Sequence, residues 1–118
     1  MEDIHLLYYN DYGISFHWKR DISRENFNKV QLVFRDTGFY LYPEEIALFS
    51  KQIKNAKELH CSRNFEKCEQ GRNILLSTPS RQIDLAVSKK ELNMIDDLVK
   101  GTLFQINMDG FLKEICKS

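Results

Sequence analysis

Two stretches of the chain show the same succession of patterns, and this succession limits the fold more than any other feature. In each stretch, two short segments alternate apolar and polar residues, as strands with one buried face do. An amphipathic helical pattern follows each pair of segments. Paired strands followed by helices predict an α+β domain in which the helices pack on a mainly antiparallel sheet.

In the first stretch, residues 30–57, the two alternating segments flank a turn at Gly38. Pro43 suits the first position of a helix, because its missing N–H would have no partner there. The adjacent pair Glu44-Glu45 suits the positive end of the helix dipole. Apolar residues then recur at helical spacing, which predicts a helix that ends near Lys57.

The second stretch, residues 72–102, predicts two further strands and a helix. Ser88 and Glu91 have the spacing of a capping box at the helix start, and Gly101 is placed to end the helix. Aligning the two stretches matches their apolar positions, as an internal duplication would. Shared periodicity alone would give the same match.

The ends of the chain complete the predicted fold. The N-terminal segment predicts a hairpin with Trp18, Ile14 and Phe16 on the buried face of its second strand, and the C-terminal segment predicts a short helix. The whole chain is then one α+β domain, with a sheet of about six strands in three hairpins, two main helices and the short C-terminal helix. Its parts are residues 1–29, an N-terminal hairpin and loop; 30–57, a first ββα unit; 58–71, a linker; 72–102, a second ββα unit; and 103–118, the C-terminal helix.

Charge and composition exclude several classes of function. The chain has 17 basic and 17 acidic residues and a formal net charge of zero, whereas nucleic-acid binders and polybasic membrane proteins usually carry a basic excess. The acidic start and the absence of a long apolar stretch argue against a signal peptide or a membrane span. Three cysteines make an odd count, so we expect reduced thiols and a cytoplasmic protein.

A weak resemblance adds to this interpretation. The strand 30–34, the turn at Gly38 and the segment 41–46, which contains Pro43 and the acidic pair, resemble a class of small uncharacterised bacterial domains. The resemblance covers about residues 14–54. Such domains often carry a C-x-x-C pair before the apolar strand, but here the corresponding segment offers only His17. The resemblance therefore implies a hairpin that leads into a helix, without an activity or a cofactor.

Candidate chemistry is sparse. His60, Cys61 and Cys68 are the densest group of metal-competent residues, but a structural zinc site usually has four ligands in closely spaced pairs. Two ordinary cysteines in a linker explain the same residues without a metal. A reactive thiol at Cys61, activated by His60 and Arg63, is a further alternative, but no Asn or Asp that would orient the histidine is identifiable. The acidic pairs Glu44-Glu45 and Asp96-Asp97 have structural explanations, and no hydrolase or phosphate-loop motif is present. We therefore expect no catalytic residues, although an enzyme stays open.

A basic and aromatic patch around Trp18 is a candidate nucleic-acid site. His17, Lys19, Arg20 and Arg24 surround this tryptophan, and such a combination can stack on bases and contact phosphates. The register of Trp18 with buried positions instead favours a core role.

The preferred hypothesis concerns the sheet face that the two helices do not reach. Residue parity predicts that this face is apolar, and tyrosine is common at interfaces because it is apolar with a polar tip. We therefore expect a protein-interaction or regulatory domain that binds a protein partner or forms a homodimer. The alternative occupant of the face is the C-terminal helix, and the alternative function is metal or small-ligand binding at residues 60–68. The residues assigned to the face are Leu7, Tyr9, Val33, Tyr40, Tyr42, Leu75 and Ala86.

Overall fold

The computed structural model of the protein describes residues 3–22, 28–61, 71–72 and 74–117. The described chain confirms an α+β fold with antiparallel strand pairing. Its elements are β1 (Ile4–Tyr9), β2 (Gly13–Trp18), α1 (Lys19–Ile22), β3 (Val30–Phe34), β4 (Thr37–Leu41), α2 (Pro43–Cys61), β5 (Ile74–Ser77), β6 (Asp84–Val87) and α3 (Lys89–Lys117).

The described strands form two sheets, so the prediction of one six-stranded sheet is wrong. Strands β1 to β4 make a four-stranded antiparallel sheet in chain order, and β5 pairs only with β6. The β5–β6 hairpin buries alternate residues against the helices instead of extending the larger sheet. Alternation determines which face of a strand is buried, but it does not determine the neighbouring strand. The proposed duplication of two ββα units stays a prediction.

One face of the four-stranded sheet, called here the inner face, packs against α2 and α3. In β3 and β4 the residues on this face are almost fully buried, and the stripe of α2 that faces them is completely buried. The β5–β6 hairpin and the first half of α3 close the same core. The core includes Val30, Leu32, Phe34, Phe39, Leu41, Ile46, Phe49, Ile53, Leu76, Val87, Ile95, Leu98 and Val99.

Helix α3 packs so closely on β2 that only small side chains fit between them. A Cβ atom added to Gly13 would lie 2.8 Å from Leu98 Cδ2. Ser15 is fully buried, and its Oγ lies 2.6 Å from Thr102 Oγ1, which donates a hydrogen bond to the carbonyl of Leu98. The small residues of β2 therefore occupy the inner face.

Ile14, Phe16 and Trp18 therefore do not face the core helices as predicted, although Phe16 is buried, with 8% of its surface exposed. Cross-strand partners share a face, and Ile14 pairs with Val33 while Phe16 pairs with Gln31. These partners alternate with the buried residues of β3, so they lie on the opposite face of the sheet, called here the outer face.

A bulge in β1 changes the predicted alternation there as well. The register shifts between Leu6 and Tyr8, so Leu6 stays on the outer face and Tyr8 lies opposite Ser15 on the inner face. Leu7 belongs to the core, which corrects its assignment to the uncovered face. A bulge adds one residue to one strand and moves every later side chain to the other face.

Gly101 does not end the last helix, because α3 continues without a break to Lys117. Instead, Gly101 lies beneath the ring of Tyr8, where an added Cβ would come within 2.5 Å of three ring carbons. The predicted separate helix over residues 103–118 is thus the second half of α3. Since α3 packs against the inner face of β1 and β2, its described residues do not cover the outer face.

The turn between β3 and β4 is formed by Arg35 and Asp36, with Phe34 and Thr37 as the flanking pair. Arg35, rather than Gly38, adopts a positive φ of 56°. This conformation costs a non-glycine residue about 1–2 kcal/mol. The guanidinium of Arg35 donates to the carbonyl of Ala86 over 3.2 Å, so the turn is held against the β5–β6 hairpin.

Glu91 joins this turn, the β1–β2 loop and the start of α3. Its carboxylate accepts hydrogen bonds from Tyr12 Oη at 2.7 Å and from Arg72 Nε at 2.9 Å, and Arg35 Nε lies 3.8 Å away. Glu91 Oε1 also accepts from the backbone N–H of Ser88, whose Oγ accepts from the N–H of Glu91. The predicted capping box is confirmed, and its glutamate also contacts three other parts of the chain, through Tyr12, Arg35 and Arg72.

Burial and these hydrogen bonds shift the pKa values of Glu91 and Tyr12. Burial opposes the charged form of Glu91, but the hydrogen bonds from Tyr12, Ser88 and Arg72 outweigh burial and lower the pKa of Glu91 from 4.5 to about 2. Burial, followed by the hydrogen bond to Glu91, raises the pKa of the Tyr12 phenol from 10.0 to about 12. The ionised carboxylate and the neutral phenol are therefore the forms that the fold stabilises.

We expect Gly13→Ala to destabilise the protein by about 1–3 kcal/mol, as overpacking of a core does. The new Cβ would lie 2.4 Å from the carbonyl oxygen of Val33, and a backbone atom cannot move aside cheaply. The matched control is Gly38→Ala, whose added Cβ meets only Gln31 Nε2 at 3.2 Å and Val33 Cγ2 at 3.9 Å. Urea unfolding of both variants measures the difference, and equal losses would contradict the close packing of α3 on β2.

Because Glu91 is ionised in the folded protein, the free energy of unfolding should depend on pH in the acidic range. Since its pKa is depressed in the folded state, its contribution is present above about pH 4.5 and disappears as the pH falls towards 2. We expect Glu91→Gln to remove about 1–3 kcal/mol near neutral pH and to flatten the pH dependence between these values. Denaturant unfolding across this range, with Glu58→Gln on the exposed side of α2 as the control, makes the comparison. If the free energy of unfolding of Glu91→Gln varied with pH as that of the wild type does, Glu91 would not be the group responsible for the pH dependence.

Candidate functional site

The outer face of the four-stranded sheet is the candidate site. It is apolar and aromatic over all four strands, and the described residues on it include no carboxylate. Since successive residues of a strand point to opposite faces, the register places its members together. They are Ile4, Leu6, Tyr9, Ile14, Phe16, Trp18, Gln31, Val33, Gly38 and Tyr40, followed by Tyr42 just after β4.

Several of these large side chains are exposed. Leu6 is 46% exposed, Tyr9 66%, Tyr40 37% and Tyr42 43%. The inner-face residue Leu32, by comparison, is completely buried. Contiguous exposed apolar residues of this kind are typical of binding surfaces.

Two cations lie over aromatic rings at one end of the outer face, called here the cationic end. The guanidinium carbon of Arg20 is 4.9 Å from the centroid of the Trp18 ring. Lys29 Nζ lies between two rings, 4.7 Å from the centroid of Tyr40 and 4.8 Å from that of Tyr42. Such contacts hold a flexible cation in place while its charge stays near the surface.

Polar contacts fix the aromatic rings that carry these cations. Tyr40 Oη donates a hydrogen bond to the carboxylate of Asp21, which is only 4% exposed. Trp18 Nε1 donates to Gln31 Oε1 over 3.1 Å, and the ring of Phe16 packs edge-on against Trp18 at 5.0 Å. The aromatic surface at the cationic end is therefore built in a fixed arrangement.

Four residues predicted for the uncovered face, Tyr9, Val33, Tyr40 and Tyr42, do lie together on the outer face. Two others, Leu75 and Ala86, lie apart from it on the exposed side of the β5–β6 hairpin.

Alternation along β1 and β2 predicted the wrong face for four residues of the outer face, because it placed them on the side that the helices cover. They are Leu6, Ile14, Phe16 and Trp18. A signal for the correct assignment of β2 was present in its small alternate residues, such as Ser15, which suit a strand under a closely packed helix. Arg20 and Lys29 could not be placed over their rings from spacing alone.

The predicted metal site has no support in the described residues. The side chains of His60 and Cys61, and all of Cys68, lie outside them, so this hypothesis stays a prediction. Within the described residues, no group of three His, Cys, Asp or Glu side chains could hold a metal ion. His17 lies near the end of β2, where its Nδ1 is 2.9 Å from the carbonyl oxygen of Lys29.

The acidic pairs take part in the structure of the fold. Glu45 Oε1 accepts a hydrogen bond from the backbone N–H of Tyr42 at the start of α2. Asp96 is buried between α2 and α3, where it forms ion pairs with Lys57 and Lys100. The neighbouring Asp97 accepts hydrogen bonds from Tyr8 Oη and Asn10 Nδ2, both of which belong to the N-terminal hairpin.

Of the described helices, none is long and apolar enough to cross a membrane.

If the outer face serves binding rather than stability, Leu6 should be nearly dispensable for folding. We expect Leu6→Ala to change the free energy of unfolding by less than about 1 kcal/mol, because its side chain is half exposed. The matched variant Leu32→Ala should cost about 2–5 kcal/mol, since Leu32 is fully buried on the inner face. Urea unfolding of both variants tests this contrast, and a Leu6 loss as large as that of Leu32 would refute it.

Neither curated proteins nor solved structures give a match to this chain. The model of a protein family of unknown function matches residues 22–114. This range contains strands β3 to β6, helix α2 and most of helix α3. Since the match covers well over half of the chain, the protein belongs to this family of unknown function, DUF6686.

Proposed function

We propose that this protein is a non-catalytic interaction module whose outer face binds a protein surface. The observation that carries the proposal is the exposure of Leu6, Tyr9, Tyr40 and Tyr42 on one sheet face while α2 and α3 both pack on the other. Large side chains retained on an open face cost solubility and contribute little to folding. Binding is the role that explains them.

The composition of the outer face supports a protein partner. Tyrosine, tryptophan and arginine are the residue types that most often dominate binding energy at protein interfaces. Here the rings of Trp18 and Tyr40 are already fixed by hydrogen bonds to Gln31 and Asp21. Side chains ordered before binding lose less conformational entropy when a partner arrives.

A non-catalytic role is supported by the structural use of the acidic side chains. Glu45, Glu91, Asp96 and Asp97 each bond to a neighbouring element, as described above. A general acid or base needs a group that is free to exchange a proton near the operating pH. With its pKa of about 2, Glu91 is held in its charged form instead.

The charge layout favours a protein over a single-stranded nucleic acid. A nucleic-acid groove carries positive charge along the whole path of the phosphate backbone. Here Arg20 and Lys29 lie at one end of the outer face, and the exposed Asp11 and Asp36 lie in the turns at the other end. The carboxylates of Asp11 and Asp36 would repel the phosphates of a nucleic acid that crossed the sheet.

The proposal predicts that the outer face is covered by another polypeptide in the cell. A photoreactive amino acid placed at Leu6 should give a crosslinked adduct, while the same group at Leu48 on α2 should give little. The control is well matched, because Leu6 is 46% exposed and Leu48 is 47% exposed. The experiment is irradiation in living cells followed by mass analysis of the adduct.

The ratio between the two positions decides the outcome. A yield at Leu6 at least several times that at Leu48 supports the outer face as the binding surface. Equal yields, or none at Leu6, would reject it.

A further inference from the structure

We propose that the surface bound by the outer face is the outer face of a second copy of this chain, stacked so that the strands of the two copies run antiparallel. This proposal rests on the function proposed above and specifies the partner. In this arrangement the cationic end of each copy lies over the opposite end of the other copy.

Charges of opposite sign are separated on the outer face. The cationic end, where β2 and β4 finish and β3 begins, carries Arg20 and Lys29 against its rings. The opposite end carries the exposed carboxylates of Asp11, in the β1–β2 loop, and Asp36, in the β3–β4 turn. Between the two ends, the described residues of the outer face have no charged side chain. The outer face is thus an apolar strip with opposite charges at its ends.

Among the residues that the structure describes, three other carboxylates near the cationic end belong to the inner side or to the interior. Asp21 is buried, accepts a hydrogen bond from Tyr40 and lies 3.9 Å from Arg20 Nε, so it offsets part of the Arg20 charge and Lys29 supplies most of the positive charge at this end. Asp3 comes before Ile4, so by alternation it is directed away from the outer face. Glu44 belongs to α2, the helix that covers the inner face. Over the described part of the chain, the outer face therefore keeps a separation of charge, with Lys29 at one end and Asp36 at the other.

Symmetry then limits how two such faces can meet. A closed dimer has a two-fold axis, and for two stacked sheets this axis lies between them, either along the strands or across them. An axis along the strands would place Arg20 and Lys29 over the same cations of the second copy. An axis across the strands places them over Asp11 and Asp36 instead. Like charges oppose association and complementary charges favour it, so the second arrangement is selected.

The size of the outer face predicts a weak dimer. Strands about 4.8 Å apart with a rise of about 3.4 Å per residue give a face of roughly 20 Å by 20 Å. Stable interfaces bury about 800 Å² on each partner, and smaller ones belong to transient complexes. Self-association should therefore be sought at concentrations of tens to hundreds of micromolar.

The test is a charge-reversal cycle, measured by sedimentation equilibrium from about 10 to 500 μM at low salt. Lys29→Glu and Asp36→Lys should each weaken the dimer roughly fivefold to tenfold, because two symmetry-related pairs are lost in each dimer. The double variant should recover most of the wild-type association, since each reversed charge then meets its reversed partner. Lys54→Glu on the exposed side of α2 is the control for charge reversal alone, and it should have no effect.

Two further measurements keep the cycle decisive. Circular dichroism and urea unfolding establish that each variant is folded, and Lys29→Gln should weaken the dimer less than Lys29→Glu if charge is the cause. Trp18 is the only tryptophan in the chain and lies on the outer face, so its emission should shift to shorter wavelength as the dimer forms.

Each outcome separates this proposal from the more general one. A wild-type protein that is monomeric at 500 μM overturns the second-copy proposal, while an adduct of Leu6 with a different protein in cells would still support the outer face as a binding surface. A dimer whose double variant is no stronger than the single variants overturns the antiparallel arrangement. A dimer that Leu6→Ser leaves intact overturns the second-copy proposal, because its interface then lies outside the outer face, while the crosslinking yields at Leu6 and Leu48 still decide the general proposal.

Discussion

The close fit of α3 against the N-terminal hairpin is the interaction on which the rest of the structure depends. It is possible only because Gly13 and Ser15 leave room on β2 and Gly101 leaves room on α3. The hydroxyl groups of Ser15 and Thr102 satisfy each other in the space that remains. A buried polar pair of this kind is stable only when each member keeps its partner, so it fixes the position of the helix along the strand.

This fit also explains why the outer face is so apolar. With its small residues turned towards α3, β2 must carry Phe16 and Trp18 on the other side of the sheet. The bulge in β1 acts in the same sense, because it sends Tyr8 to α3 and leaves Tyr9 exposed. The candidate binding surface and the helix packing are therefore two results of one choice of register. A change that loosened α3 would also disturb the surface.

Local patterns predicted much of the fold, while contacts between distant residues decided the rest. The strands, the start of α2 at Pro43 and the capping box at Ser88 follow from neighbouring residues. The faces of β1 and β2 could not be read in this way, because both faces are apolar and a one-residue bulge reverses the alternation. Gly101 was misread for a related reason, since its role depends on the ring of Tyr8 far away in the sequence.

The separation in sequence between the N-terminal hairpin and α3 has a consequence for synthesis on the ribosome. The hairpin is synthesised before α3, but Tyr8 and Ser15 bond to Asp97 and Thr102, which follow them by 89 and 87 residues. Until α3 has left the exit tunnel, both sides of the sheet are open to water and to other chains. The sheet therefore completes its packing only once α3 has been synthesised. The early sheet is then the part of the nascent chain in greatest need of a chaperone.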